Sequence, residues 1–326
     1  MDKNTVWAIL LSTLVLVVFT TLQMAFMPQQ PTETAVSETG EIIQSESTET
    51  EAVKVSQLPV LEVSEENLKE EFVTITTESV KVTFTNRGGD VISYELLNHA
   101  DKDGYIQMAD NISDFNRAFS LSFGGAENGI INDLFHVKKI NDYTIGFYKN
   151  FTSQNKDGST NSFILAKQYT FDPKDYMFKL DVSIDGDNTM KDMDFNGLSY
   201  TVRTSPQIGP YYDAKNDRYE NRTFMSYESK KKKNLLRPDE TKVYDKDYVW
   251  TGVGGKYFEI LALPQNPTVM NNVVYSTKTE VNDYSNAQVM LTRDAINGNS
   301  VQDTYYFYVG PRTEKDLKIY NKSEDN

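Results

Sequence analysis

Alternation of apolar and polar positions starts at Phe72 and dominates the chain from there on. In FVTITTESVKVTFTNRGGDVISYELL, Val80, Val82 and Phe84 alternate with Lys81, Thr83 and Thr85. A period of two places one set on an apolar face and the other on a polar face, so the stretch predicts strand, turn, strand, turn, strand. Gly88-Gly89, in Asn86-Arg87-Gly88-Gly89, supplies the positive-φ residues of a hairpin turn. Further short strands are predicted in FSLSFGG, YTIGFYKNF and SFILAKQYTF. After the turn Asp172–Asp175 (DPKD) comes YMFKLDVSI, in which Phe178, Leu180, Val182 and Ile184 oppose Met177, Lys179, Asp181 and Ser183. YFEILALP, NNVVYSTKTEV, NAQVMLTRD and TYYFYV continue the series. Amphipathic helical patterns of three turns are scarce. Many short strands punctuated by Gly, Asn and Asp predict an all-β fold, a large sandwich of two packed sheets.

Two stretches break the alternation. Residues 205–240 form a loose excursion holding the lysine run Lys230–Lys233, which reads as a solvated loop or hairpin tip. At the other end, Thr5 to Met27 carries no charge. As a helix it spans roughly 34 Å, enough for a hydrocarbon core of about 30 Å. It is too long for the apolar part of a cleaved leader and lacks a small-x-small exit, so residues 1–28 read as an uncleaved transmembrane anchor in contact with the lipid bilayer through residues 5–27. Lys3 precedes it and the next basic residue is Lys54, which keeps the N-terminus cytoplasmic and sends the bulk of the chain across. Residues 29–71 read as a disordered acidic linker; from Pro28 to Glu71 there are 11 Glu against 2 Lys. Residues 72–312 hold the β domain, and 313–326 the start of a helix.

Composition removes several classes of function. A net charge of −14 excludes nucleic acid as a partner, because phosphate binding takes an excess of Lys and Arg. The absence of cysteine excludes disulfides, thiolate nucleophiles and Cys-based zinc sites. TGVGGKYF approaches a phosphate loop, but Trp250 stands at its first glycine position and Tyr257 at its hydroxyl position. Ser229 to Lys232 matches Ser-x-x-Lys without the companion motifs of that enzyme class. The two histidines, His99 and His136, have no ligand spacing. The acidic clusters Asp101–Asp103 and Asp185–Asn188 do not continue into a calcium-loop register and read as turns. The expectation is a chain without catalytic residues, metal or cofactor.

Five stretches, in order, resemble the YidC family of bacterial membrane-protein insertases. They are the opening MDKNTVWAILLSTLVLVVF, the hairpin VTFTNRGGDVISYELLNH with Gly88 and Gly89, and the strand pair AKQYTFDPKDYMFKLDVSI. WTGVGGKYFEILALP follows, carrying Trp250, Gly252, Lys256, Tyr257 and Phe258, and then YYFYVGPRTEKDLKIY, carrying Tyr308, Gly310 and Pro311. Arg312 stands where the family usually has lysine. The resemblance covers almost the whole chain. It implies a periplasmic β-supersandwich in the bacterial inner membrane's outer compartment, with signature residues that serve structure. It also implies that residues after the Gly-Pro element lead to a second membrane helix and an insertion bundle absent from this chain, which would then be the front part of a longer insertase. The partners it implies are nascent membrane proteins and components of the Sec translocon. On the same fold, a membrane-anchored sugar-binding or mutarotase-like protein is the alternative; it requires a histidine and a carboxylate converging on one pocket.

Overall fold

The computed structural model describes residues 60–62, 68–154, 160–186, 194–212, 219–228, 231–234, 236–237, 239–245, 248–278 and 286–321. The expected anchor (5–27) and most of the expected linker lie outside them. No helix among the described residues is long and apolar enough to cross a membrane.

The strands, in chain order, are β1 (Val60–Glu62), β2 (Phe72–Thr76), β3 (Val80–Thr85), β4 (Asp90–Asp101), β5 (Gly104–Gln107), β6 (Leu121–Phe123), β7 (His136–Asn141), β8 (Thr144–Gln154), β9 (Thr160–Phe171) and β10 (Met177–Gly186). They continue with β11 (Leu198–Arg203), β12 (Thr223–Tyr227), β13 (Lys231–Asn234), β14 (Thr241–Asp245), β15 (Trp250–Gly254), β16 (Phe258–Pro264), β17 (Met270–Ser276), β18 (Gln288–Asp294) and β19 (Ser300–Pro311). One short helix, α1 (Glu314–Leu317), follows, capped by Thr313, whose side chain accepts from Asp316 N, and runs into a 3-10 turn over Lys318–Asn321.

The fold is all-β, as the alternation predicts, with one difference in layering. One layer is a ten-stranded sheet in the order β1-β8-β9-β10-β19-β16-β15-β12-β13, with β7 also on β8. The facing layer is two sheets, β2-β3-β4-β5 and β14-β17-β18-β11-β6, where a single second sheet was expected. The four-stranded sheet rests on β8–β10: Phe84 meets Tyr169 at 4.9 Å between ring centroids, and Tyr94 meets Phe178 at 6.1 Å. The five-stranded sheet rests on β19 and β12: the Tyr200 and Tyr305 hydroxyls are 2.9 Å apart, and Phe224 stacks on Tyr275 at 4.8 Å. Between the two smaller sheets the β5–β6 connection fills the seam. Ala118 bridges Val91, Asp110 bridges Gln207, and Phe119 meets both Phe178 and Phe307 at 4.9 Å. Rings of this size, paired edge to face, fill the interlayer space with few atoms left to order.

A buried ion cluster pins the same seam. Lys167 on β9 is fully buried, and its ammonium donates to Asp90 Oδ1 (2.6 Å), Phe119 O (2.8 Å) and Gly88 O (3.1 Å). Arg117 Nε donates to the other Asp90 oxygen at 3.1 Å. Tyr169 donates its hydroxyl to Gly89 O at 2.9 Å. The Gly88-Gly89 turn, with φ of 70° and 62°, is thus held through its carbonyls by the neighbouring layer. Burial lowers the Lys167 pKa, and Asp90 opposes that shift.

Two other expectations change. Within the span read as linker, Val60–Glu62 pairs with β8 (Val60↔Ser153), because the far half of β8 has an open edge and Val-Leu is a β-forming pair. Asn86 ties down the residues just before β2, accepting from Glu71 N and donating to Lys69 O. The 205–240 excursion is loose only in part. Residues 205–209 are buried, with Gln207 inside. Arg222 is also buried and donates to Gln207 Oε1 (2.9 Å), Ile208 O (2.8 Å), Pro210 O (2.9 Å) and the Glu220 carboxylate. A guanidinium fork satisfies several backbone carbonyls at once, which lets an irregular stretch be buried. Beyond it, β12 and β13 form a hairpin whose edge strand carries Lys231–Lys233. Edge lysines discourage strand addition from other chains.

Candidate docking groove

Strand registers show which residues share the outer face of the ten-stranded sheet. Met177 lies opposite Tyr308, Tyr308 opposite Leu261, Leu261 opposite Gly252, and Gly252 opposite Met225. Beside this row, Lys179 pairs with Tyr306 and Tyr306 with Leu263, and Trp250 pairs with Tyr227. An outward face would ordinarily be polar, whereas this one is apolar and aromatic over β19, β16, β15 and β12, with Met177 of β10 at its border and Lys179 beside it. The segment after β19 covers one end of it. Tyr320 packs its ring on Tyr308 at 5.5 Å and hydrogen-bonds the Asp175 carboxylate. Leu317, three residues earlier and one helical turn away, faces the same cavity.

What remains open is a groove of about 700 Å³, lined by Met177, Tyr227, Glu228, Val249, Trp250, Glu259, Leu261, Leu263, Tyr308, Leu317 and Tyr320. A pocket mostly apolar, with a few polar groups, is the usual form of a binding site. Trp250 and Tyr227 lie nearly parallel, with centroids 6.0 Å apart and planes 8° apart. Gly252 deepens the floor: a Cβ there would lie 2.8 Å from Leu261 Cδ2 and 2.2 Å from Ile260 O. The lining holds two carboxylates and no Lys or Arg. Glu259 is buried and bonds Arg312 Nε at 3.3 Å, and Glu228 is exposed at the rim. Burial raises the Tyr308 pKa, and the phenol donates to Pro311 O at 2.6 Å.

The signature residues divide between this groove and its supports. Trp250 and Tyr308 line it. Trp250 is half-buried on the outer face, because the alternation of β15 turns Thr251 and Val253 inward. Gly310 admits the Tyr176 ring, which a Cβ would meet at 2.8 Å. Phe258 is buried opposite Pro311, as expected of a core residue. Lys256 and Tyr257 are exposed at the β15–β16 turn, with the ammonium 4.8 Å from the Tyr257 ring. Gly88 and Gly89 form the distant turn described above. Tyr227, Val249, Leu261 and Leu263 were not singled out from sequence. The available signal was YFEILALP itself, whose two alternating sets, Ile260 with Ala262 and Leu261 with Leu263, are both apolar. That pattern marks a strand covered on both faces.

The histidines do not meet. His136 on β7 stacks on Tyr148 at 5.1 Å, whereas His99 on β4 packs against Tyr176 and Phe258. Tyr148 lies level with Ala166, Ser183 and Gln302, and Phe258 with Pro311. Gln302 and Pro311 are nine residues apart on β19, on the order of 30 Å. No single pocket can hold both imidazoles. Another concavity, about 410 Å³, lies on the five-stranded sheet. Its amides Asn116 and Gln288 bond each other reciprocally at 3.0 and 2.9 Å.

Comparison with known proteins decides the family. A profile of the YidC periplasmic domain matches residues 72–325. The chain belongs to the YidC periplasmic domain family. Two curated relatives are named membrane protein insertase YidC. That of Treponema denticola is 36% identical, over all of this chain and 58% of its own length. That of Treponema pallidum is 32% identical, over all of this chain and 61% of its own length. The chain thus spans about three fifths of those YidC relatives. Among solved structures, a putative aldose 1-epimerase of Escherichia coli K12 is similar with a TM-score of 0.44 and 8% identity, over 74% of this chain and 99% of that one.

Proposed function

We propose that this chain is the membrane anchor and periplasmic domain of a membrane-protein insertase, serving the insertion and folding of inner-membrane proteins as a docking module without chemistry of its own. The observation that carries the reading is the family match over the whole β domain, together with relatives that bear the insertase name along the full length of this chain. In it, residues 1–28 anchor the chain through a bilayer-spanning stretch at 5–27. Residues 29–71 tether, 72–312 form the sandwich, and 313–326 begin the helix that leads away from it. Nascent membrane proteins and Sec translocon components are the partners, and the bulk of the chain faces the periplasm. The sugar-modifying alternative calls for a histidine and a carboxylate in one pocket, whereas His99 packs against Tyr176 and Phe258, His136 stacks on Tyr148, and neither concavity described above is lined by a histidine.

Two measurements test this. The chain has no cysteine, so single replacements report topology cleanly. Tyr105→Cys, at an exposed position, should react with a membrane-impermeant maleimide in cells with a permeabilised outer membrane, and Lys3→Cys should not. Depletion in cells should leave membrane-protein substrates uninserted and protease-sensitive. Altered envelope mechanics with normal insertion would instead assign the chain a structural role.

A further inference from the structure

We propose that the concavity on the outer face of the five-stranded sheet binds a glycan of N-acetylated hexosamines, held through the acetamido group of one sugar ring. The inference is of binding, not of a reaction. It rests on the lining of that concavity and stands independently of the insertase reading.

Strand register builds the site as two neighbouring rows. Tyr200 and Tyr275 turn toward the ten-stranded sheet, so the alternate positions of β11, β14, β17 and β18 face away from it. One outward row is polar, Thr241 beside Ser276 beside Gln288. The next is aliphatic, Val243 beside Val274 beside Met290, and ends on Arg203. Both rows line the cavity of about 410 Å³ together with Asn116 and Asn286, a volume in the range of small-ligand sites. Three observations select the occupant. First, the cavity presents locked amides. Asn116, Asn286 and Gln288 are only 3, 5 and 3% exposed. Asn116 and Gln288 bond each other reciprocally, and Gln288 Nε2 also donates to Thr204 O at 2.8 Å. Asn286 accepts at Oδ1 from Asn111, and its Nδ2 has no partner among the described residues. A carboxamide has two N–H donors and two acceptor positions, so this fixed set keeps valences that a ligand can complete, and a buried donor left unmet is costly. Second, an amide set stands beside an aliphatic row. An acetamido group is itself an amide carrying a methyl: its carbonyl takes the Asn286 donor and its methyl covers Val274 and Met290, while ring hydroxyls meet Thr241 and Ser276. A sugar without the acetamide leaves the aliphatic row uncovered, and an extended peptide lays amides over a row that cannot pair them. Third, the charged groups do not call for an ion. Glu127 and Lys278 are exposed and opposite in sign, and Arg203 is engaged with the carbonyls of Ala126 and Asn128.

The test titrates the full chain, in zwitterionic lipid nanodiscs, with chitotriose, the β-1,4-linked trimer of N-acetylglucosamine, followed by saturation-transfer NMR. Cellotriose, the same backbone with hydroxyls in place of the acetamides, is the control. The expected result is saturable binding of chitotriose, with the strongest transfer to its acetamide methyls, and binding of cellotriose at least tenfold weaker. Asn286→Leu should abolish that preference. Because Asn286 is buried, a second variant keeps the test independent of folding. Val243 lines the cavity from the edge strand β14 and is 61% exposed. In Val243→Trp the indole fills the mouth, and chitotriose binding should be lost with thermal unfolding unchanged. Three outcomes overturn the proposal: no saturable binding of chitotriose below about 10 mM, equal affinity for cellotriose, or undiminished binding in Val243→Trp. Displacement of chitotriose by a capped tetra-alanine peptide of higher affinity assigns the cavity to peptide and overturns it as well.

Discussion

At the scale of single residues, Lys167 shows how a polar side chain in a predicted strand can become the centre of a core. In SFILAKQYTF it occupies an inward position of the alternation, between Leu165 and Tyr169, and it enters the interior with its charge compensated by Asp90 and two carbonyls. Removing one partner of a buried pair leaves the other charge stranded. Lys167→Ala is therefore expected to destabilise the domain by about 3–5 kcal/mol in urea unfolding. Replacing Lys167 and Asp90 together with methionine and asparagine is expected to cost less than the two single changes summed. Arg312 makes a second case. By the family resemblance it stands where lysine is usual, a change that keeps the positive charge. In the structure its fork reaches the Glu259 carboxylate, Gly255 O (2.9 Å) and Met225 Sδ (3.7 Å), a spread of contacts that the point charge of lysine does not reproduce.

At the scale of elements, turn chemistry and strand periodicity made most of the fold legible. The β3–β4 hairpin is an example. Gly89 has φ of 62°, and a Cβ there would lie 2.7 Å from Phe147 Cβ. Gly89→Ala combines a left-handed backbone with a clash against the facing sheet, and about 1–3 kcal/mol of stability should be lost. Gly129→Ala, which meets nothing within 4 Å and carries no positive φ, should stay within about 0.5 kcal/mol of the parent. Thermal unfolding of the two variants side by side separates the local requirement from a general intolerance of alanine. Where element reading fell short, the cause was long-range. Residues 205–209 look like loop because they contain Pro206 and Gly209, and their burial depends on distant partners: Asp110 and Gln107 pair with the backbone of Gln207 and Gly209, Ala287 N donates to Pro206 O, and Arg222 donates to Ile208 O. The short strand β1 exists because β8 has an edge to offer.

At the scale of the whole molecule, the unusual feature is a core built of rings and tyrosine hydroxyls. Burial pushes the pKa values of Tyr169, Tyr200 and Tyr305 well above the ordinary tyrosine value of 10.0. The folded state holds these phenols neutral, whereas the unfolded chain ionises them near pH 10. Their contribution to stability is thus complete below about pH 10 and declines as the pH rises above it. In an alkaline titration followed by tyrosinate absorbance, Tyr169, Tyr200 and Tyr305 should ionise late, in a cooperative step that coincides with loss of the circular-dichroism signal. If all tyrosines titrate together while the fold persists, the buried assignments are wrong.

Sequence alone determined that this chain is a strand protein with apolar and polar faces in a fixed order, because side-chain alternation and glycine turns are properties of a few adjacent residues. Only the tertiary structure decided that the facing layer divides into two sheets, and that Trp250 looks outward. It likewise decided that Leu261 and Leu263 floor a groove partly roofed by the helix after Pro311. Those outcomes depend on which distant strands pair, β10 with β19 and β12 with β15, and such pairings are set by the packing of all layers at once rather than by any stretch of neighbouring residues.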